Sequence, residues 1–363
     1  MEIPQTMTPR ERMLAALTFE PVDVVPLQIH PSPAGLFEHG QKLLDLMQAC
    51  GHDFGDQADL RLPVVPPENY DGDGRYHVIR TDEWGTTWEH RIFGVWGYRT
   101  GYPLADISRL AEYKLPKVEQ LTGEKLARQS AEGEALRRQY FHLGGGVSLF
   151  ETLQSLRPFE DVLIDIAHDT PEINRLADLL VEYNLPLVEN ALRLGVDAVA
   201  VGDDFGTQQG SMFSPQTWRR FFLPRYQVLF APVKKAGKRI FFHSCGQISA
   251  ILEDLRRAGA DVIWPQLPLF DLPALAQRCR ELGLAVQLHP DRGELMQRAA
   301  PGQVRAYLLD LVETFDVLGG GSFLYLEIDP GFPWENVKAL FTTVMELRGE
   351  AGRQERRAAT ESG

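Results

Sequence analysis

The sequence predicts an α/β protein, specifically a (β/α)8 TIM barrel carrying a β-hairpin insertion near its N-terminus. Three observations lead there. Short apolar runs bounded by Gly or Pro recur along the chain, as in parallel strands buried on both faces. From about residue 138 onward these runs alternate with segments of helical periodicity. The runs number about eight, the count that closes such a barrel. A doubly wound open sheet is the competing arrangement, but no glycine fingerprint for a dinucleotide follows any strand.

Taken in order, Thr8-Pro9-Arg10-Glu11 supplies an N-cap, a proline at the first helical position and a capping-box glutamate. A buried strand over 24–29 ends at His30-Pro31, and a helix over 36–50 stops at Gly51. A second strand, weakly defined, falls near 60–65. Residues 76–96 read as the hairpin, with an aromatic face and a turn at Asp82-Glu83-Trp84-Gly85. A strand over 140–143 is closed by Gly144-Gly145-Gly146, and Thr170-Pro171 opens a long helix. Strands over 197–201, 239–243, 261–264, 284–288 and 322–326 follow. Between and after them lie helices opening at Ser214-Pro215 (interrupted near Pro224) and over 248–257, 272–282, 304–315 and 334–347. One barrel domain over 1–348 and a polar, frayed tail over 349–363 are expected.

Composition narrows the class. The 363 residues would make two to three average domains, but barrels exceed that average as single domains. A 44% apolar and 24% charged makeup is that of a folded globular chain. The net charge of −13 disfavours nucleic-acid and membrane surfaces as partners. Three cysteines are too few for a disulfide framework, and neither a membrane span nor a signal-peptide core is evident. A cytoplasmic enzyme acting on a small molecule is the expectation.

In a barrel the chemistry gathers at the C-terminal strand ends. There lie His30, the triple glycine, Asp203-Asp204, His243-Ser244-Cys245, Gln266, His289-Pro290-Asp291 and Glu327-Ile328-Asp329. On extended backbone, His243 and Cys245 project to one side, offering nitrogen and sulfur to a metal. The alternative is a hydrogen-bonded histidine beside a small buried cysteine. Cys50 and Cys279 fall on helices, as core residues. Of Asp203 and Asp204, one should face the mouth to bind substrate or move a proton, and the other should cap the loop. Arg157 could grip a substrate carboxylate or form a structural bridge to Glu151 or Glu160.

The order and spacing of several segments resemble the uroporphyrinogen decarboxylase superfamily, which includes zinc-dependent, cobalamin-linked methyltransferases. They are Arg10-Glu11-Arg12 with Asp23-Val24-Val25-Pro26, Asp82-Glu83-Trp84-Gly85, Phe150-Glu151 with Leu156-Arg157, Asp203 through Gln208, Ser214-Pro215, His243-Ser244-Cys245-Gly246 and Pro333 through Lys338. The resemblance implies a barrel of that superfamily's type. True decarboxylases carry an arginine-rich loop after the first strand; here it reads His30-Pro31-Ser32-Pro33-Ala34-Gly35.

The methyltransferase branch instead implies zinc on His243 and Cys245, activating a thiol toward a corrinoid-bound methyl group. The third ligand of that branch falls at Leu326, which cannot bind metal, so neighbouring Glu327 is expected to serve through a one-residue shift or bulge. His289 and Asp329 are the other candidates. The resemblance thus implies a methyltransferase or demethylase with catalytic Asp203, Asp204 and Cys245. Its substrate would meet His30, Glu151, Arg157, Gln208, His289 and Asp291. The corrinoid would be free or on a separate carrier protein, and the chain a homodimer. A metal-free lyase acting on a porphyrinogen or smaller acid, and a ligand-binding barrel without chemistry, are the alternatives.

Overall fold

The computed structural model describes residues 7–55, 57 and 59–349. The tail expectation therefore lies, Gly349 apart, outside the described residues. Ten strands occur among them: β1 (Leu27–His30), β2 (Val78–Thr81), β3 (Thr87–His90), β4 (Tyr98–Gly101), β5 (Leu143–Val147), β6 (Ala198–Gly202), β7 (Arg239–Ser244), β8 (Val262–Pro265), β9 (Ala285–Leu288) and β10 (Ser322–Glu327). The chain forms two compact units, one of Met1–Pro63, Glu134–His142 and Asp261–Gly363, the other of Val64–Gly133 and Leu143–Ala260.

The first unit opens with the expected capping box. The Thr8 hydroxyl accepts from the Glu11 amide, and the Glu11 carboxylate accepts from the Thr8 amide at 2.9 Å. Helix Pro9–Leu17 then delivers Arg12 to Asp23 at 2.7 Å and to Asp53 at 2.5 Å. Asp53 has no exposed surface, and it also accepts from Arg348 at 2.9 Å and from the Leu27 amide at 2.7 Å. A buried carboxylate with two guanidinium partners avoids the penalty of an unpaired charge, and it anchors the start of β1. Four parallel strands run in the order β1-β10-β9-β8. Leu27, Val286, Leu288, Leu324 and Leu326 are almost wholly buried, so these strands are covered as the apolar runs require.

Two expectations fail in this unit. The helix over 36–50 is two helices, Pro33–His39 and Gln41–Cys50, because Gly40 adopts φ +62° between them. Residues 60–65 join no ladder, which takes the eighth strand from the count. Pro63 lacks a donor, and the run is half-exposed rather than buried.

In the second unit β5, β6 and β7 pair in parallel. The strand expected over 140–143 begins at Leu143 and runs through the glycines to Val147, with a register shift between Gly144 and Gly146. Gly145 takes φ +65°, and a Cβ there would press to 3.3 Å on Ala191 and Val199, so glycine permits the bulge. The hairpin is a three-stranded antiparallel sheet, β2-β3-β4. Its turn is built by Asp82, whose carboxylate accepts from the Trp84 and Thr86 amides at 2.9 Å and from the Trp88 indole at 2.7 Å.

Helices Pro171–Arg193, Pro215–Phe221 and Leu223–Lys235 flank the parallel strands, with an aromatic core of Phe150, Phe205, Trp218, Phe222 and Tyr226. No helix among the described residues is long and apolar enough to cross a membrane.

Candidate functional site

The strand ends of the second unit assemble the densest chemistry. Gly202 on β6 pairs with His243 on β7, which sets Asp203-Asp204 beside His243-Ser244-Cys245. The two loops are sewn together by the Asp203 amide to the His243 carbonyl, and by the Gly206 amide to the Cys245 carbonyl, both 3.1 Å. The Phe205 amide adds a bond to the Ser244 hydroxyl at 2.9 Å. Backbone meets backbone so closely that a Cβ on Gly246 would lie 2.1 Å from Gly206. Gly246 also holds φ +79°, so glycine is required on both grounds.

This seam brings three donors together. The Asp204 Oδ1 accepts from the Cys245 amide at 2.7 Å and lies 3.4 Å from His243 Nε2. Cys245 Sγ is 3.4 Å from the same Nε2. One oxygen, one nitrogen and one sulfur thus fall within 4.8 Å of each other on half-exposed side chains. These are the three ligand types zinc accepts, so the donor set fits that ion.

Asp203 faces the other way. It is fully buried, and its carboxylate accepts from the Tyr226 hydroxyl at 2.5 Å, the Glu151 amide at 2.7 Å, the Leu149 amide at 2.8 Å and the Ser148 hydroxyl at 3.2 Å. Burial pushes its pKa up to about 7 against the pull of Tyr226 and the two amides. The Tyr226 hydroxyl is raised well above its ordinary value by burial and then by the adjacent carboxylate. Asp203 therefore ties β6 to the N-terminal turn of helix Phe150–Leu156, and it is Asp204 that reaches the donor cluster.

The remaining candidates divide by unit. In the second, Glu151 is paired with Arg99 at 2.7 Å, and Arg99 lies over the Trp88 ring. Arg157 is 9% exposed; it bridges Asp165 at 2.8 Å and donates to the carbonyls of Leu104 and Ala105. Of its two expected uses it takes the structural one, with Asp165 in place of Glu151 or Glu160. Gln208 is exposed in the turn closed by Thr207 and Gly210.

In the first unit, Glu327 accepts from the Tyr325 hydroxyl at 3.2 Å and lies 3.8 Å from His30. The β1–β10 register runs without a bulge from Leu27↔Leu324 to His30↔Glu327, so the expected shift at Leu326 is absent. Glu327 is not among the grouped donors. His289 is buried edge-on against Tyr325, with ring centres 4.8 Å apart. Asp291 caps the Gly293 and Leu295 amides beside an open pocket of about 600 Å³ lined by Leu267, Phe270 and Tyr307. Asp329 pairs with Arg292 at 3.1 Å.

Sequence reasoning missed Tyr226 and Arg99. Tyr226 reads as one more aromatic in a buried helix. Arg99 stands on β4, a strand the alternation did not mark.

Comparison with known proteins agrees with the topology. A family profile described as uroporphyrinogen decarboxylase (URO-D) matches residues 141–347. The chain belongs to that family. Among solved structures it is similar to a methyltransferase from Methanosarcina mazei, with TM-score 0.61 and 18% identity over 95% of this chain and 100% of the other. That likeness shows the fold, a TIM-barrel-like α/β fold of URO-D type. A dihydropteroate synthase from Xanthomonas albilineans matches at TM-score 0.33 and 16% identity, over 54% of this chain and 65% of that one. A search of curated proteins finds no match.

Proposed function

We propose that this URO-D family member is a zinc-dependent methyltransferase or demethylase, moving a methyl group between a small substrate or thiol and a corrinoid. The observation that supports this best is the clustering of Asp204, His243 and Cys245 within 4.8 Å at adjoining strand ends. Those three would hold the ion, with Asp204 in the part expected of Glu327. Bound zinc would lower the pKa of a coordinated thiol, making it a nucleophile at neutral pH.

The chain's own residues supply positioning. Asp204 accepts the Cys245 amide and so fixes the backbone from which the thiol projects. Asp203, clamped by Tyr226 and by the amides of Leu149 and Glu151, holds the strand end that carries Asp204. Glu151 and Gln208 are the second-unit groups proposed to meet substrate. The corrinoid is proposed to arrive free or on a separate carrier protein.

A decarboxylase reading, which would use Asp203 or Asp204 on a substrate pyrrole, loses support where 30–35 lacks arginine; buried Asp203 leaves it Asp204 alone. The deciding assay is demethylation of methylcobalamin by the zinc-loaded protein with a panel of small thiols, followed by the change in corrinoid absorbance. Thiol- and zinc-dependent demethylation, abolished in Cys245→Ala, is the expected result. Conversion of uroporphyrinogen to a less carboxylated product, with no demethylation, would overturn the proposal.

A further inference from the structure

The open pocket beside Asp291 is built wholly from the first unit and has no part in the methyl-transfer reading. Two strand-to-helix connections form it. After β8 the chain makes the short turn Leu267–Leu269, and Asp271 then caps helix Leu272–Leu282 by accepting the Ala274 amide at 3.0 Å. Leu267, Phe270 and Leu272 of that connection supply one apolar wall. After β9, Glu294–Arg298 forms a single π-helical turn, a rare conformation that recurs at functional sites. Leu295 of this turn and Tyr307 of helix Pro301–Thr314 line the other side. The cavity of about 600 Å³ falls within the roughly 300–1,000 Å³ typical of small-molecule sites.

The polar lining is electrostatically unbalanced. Glu294 and Arg298 pair with each other at 2.7 Å, and Arg292 is taken by Asp329 at 3.1 Å. Asp291 has no cationic partner among the described residues. Its carboxylate accepts the Gly293 amide at 2.8 Å on Oδ1 and the Leu295 amide at 3.1 Å on Oδ2. Those bonds use only two of the roughly four acceptor positions a carboxylate offers. The Tyr307 hydroxyl makes no hydrogen bond among the described residues. Burial, then Asp291 and Asp310, push its pKa up to about 12, so it stays neutral and able to accept. An apolar cavity whose one uncompensated charge is an anion complements a molecule with an apolar body and a cationic head. A carboxylate or phosphate would meet Asp291 as a like charge.

We propose that this pocket binds a small organic ammonium ion, with its apolar body against Leu267, Phe270 and Leu295 and its N–H groups on the Asp291 carboxylate. The ammonium donates to the acceptor positions that the two backbone amides leave, and the Tyr307 hydroxyl offers it a further oxygen.

The test uses the full chain and probes of similar size but different charge: 2-phenylethylamine, cationic near neutral pH; 2-phenylethanol, neutral; and phenylacetate, anionic. Ligand-observed NMR titration to about 5 mM, a range suited to fragment-sized molecules, gives each Kd without reference to methyl transfer. The wild type is expected to bind the amine at least roughly tenfold more tightly than the alcohol, as a charge-assisted hydrogen bond contributes, and phenylacetate most weakly. Asp291→Asn is expected to bind amine and alcohol alike. Gln303→Lys, which adds a competing ammonium at an exposed position of the lining, is expected to lose the preference as well without touching Asp291. Circular dichroism establishes which variants are folded, and Gln303→Lys decides the matter if Asp291→Asn is not. Absence of saturable amine binding by the wild type, equal or tighter binding of the alcohol or phenylacetate, or an amine preference that survives in the folded variants would overturn the proposal.

Discussion

His52 gives the first unit a pH-dependent stability that can be predicted with its sign. Its Nδ1 accepts the Ile29 amide at 3.1 Å, which requires a neutral ring. Burial, aided by the Arg348 charge and opposed by Asp53, pushes its pKa down to about 4. A histidine depressed in the folded state contributes stability that is fully present above its unfolded value, about 6.5. The contribution is lost as pH falls through the folded value near 4. The drop corresponds to up to about 3 kcal/mol at roughly 1.4 kcal/mol per pKa unit. His52→Asn keeps an acceptor for the Ile29 amide but cannot titrate. Urea denaturation at several pH values between 7 and 4 should therefore show the wild type losing about 3 kcal/mol more than His52→Asn across that window. Parallel stability profiles for the two proteins, agreeing within about 0.5 kcal/mol, would refute the reasoning.

Three other outcomes follow from the second unit and the cysteines. Tyr226→Phe removes the hydroxyl on buried Asp203 and should cost about 2 kcal/mol, or about 3 °C in Tm for a chain this long by calorimetry; an unchanged Tm would contradict the clamp. Arg157→Met should destabilise by about 3 kcal/mol, because Asp165 and two carbonyls lose their donor, while leaving substrate KM unmoved; a raised KM would return Arg157 to the substrate. Alkylation at pH 8 should find one fast thiol, Cys245, since burial pushes Cys50 up to about 11 and Cys279 up to about 12. Zinc should slow that reaction, as read by mass spectrometry.

The fold was legible where periodicity and punctuation agree. Thr8 and Glu11 announce their capping box, and the runs around Val199, Ile240 and Val286 announce buried parallel strands. It was illegible where glycine or proline changes meaning with context. Gly144-Gly145-Gly146 looks like a strand terminus, but packing against Ala191 and Val199 makes it a bulge within β5. Residues 60–65 have strand-like composition, yet Pro63 and exposure keep them from any ladder.

The site divides in the same way. The spacing of His243 and Cys245 carries their shared direction, because alternation along a strand is local. Which of Asp203 and Asp204 turns outward is settled by Tyr226, Ser148 and the amides of helix Phe150–Leu156, all distant in sequence. Glu327 was favoured by adjacency to Leu326, but the regular register with β1 aligns it with Tyr325 and His30. Arg99 had no local signal, since its meeting with Glu151 depends on the third strand of the insertion.

The central claim, that Asp204, His243 and Cys245 form one metal-binding set, is tested most directly by equilibrium zinc competition against a chromophoric chelator. Wild type, Asp204→Asn, Cys245→Ala and Glu327→Gln should be compared under identical conditions. The account predicts about one zinc per chain in the wild type. It predicts a loss of tenfold or more in Asp204→Asn and in Cys245→Ala, on the order of what even outer-sphere partners contribute, with Glu327→Gln unchanged. Equal affinity in wild type and Cys245→Ala, or a loss confined to Glu327→Gln, would contradict it.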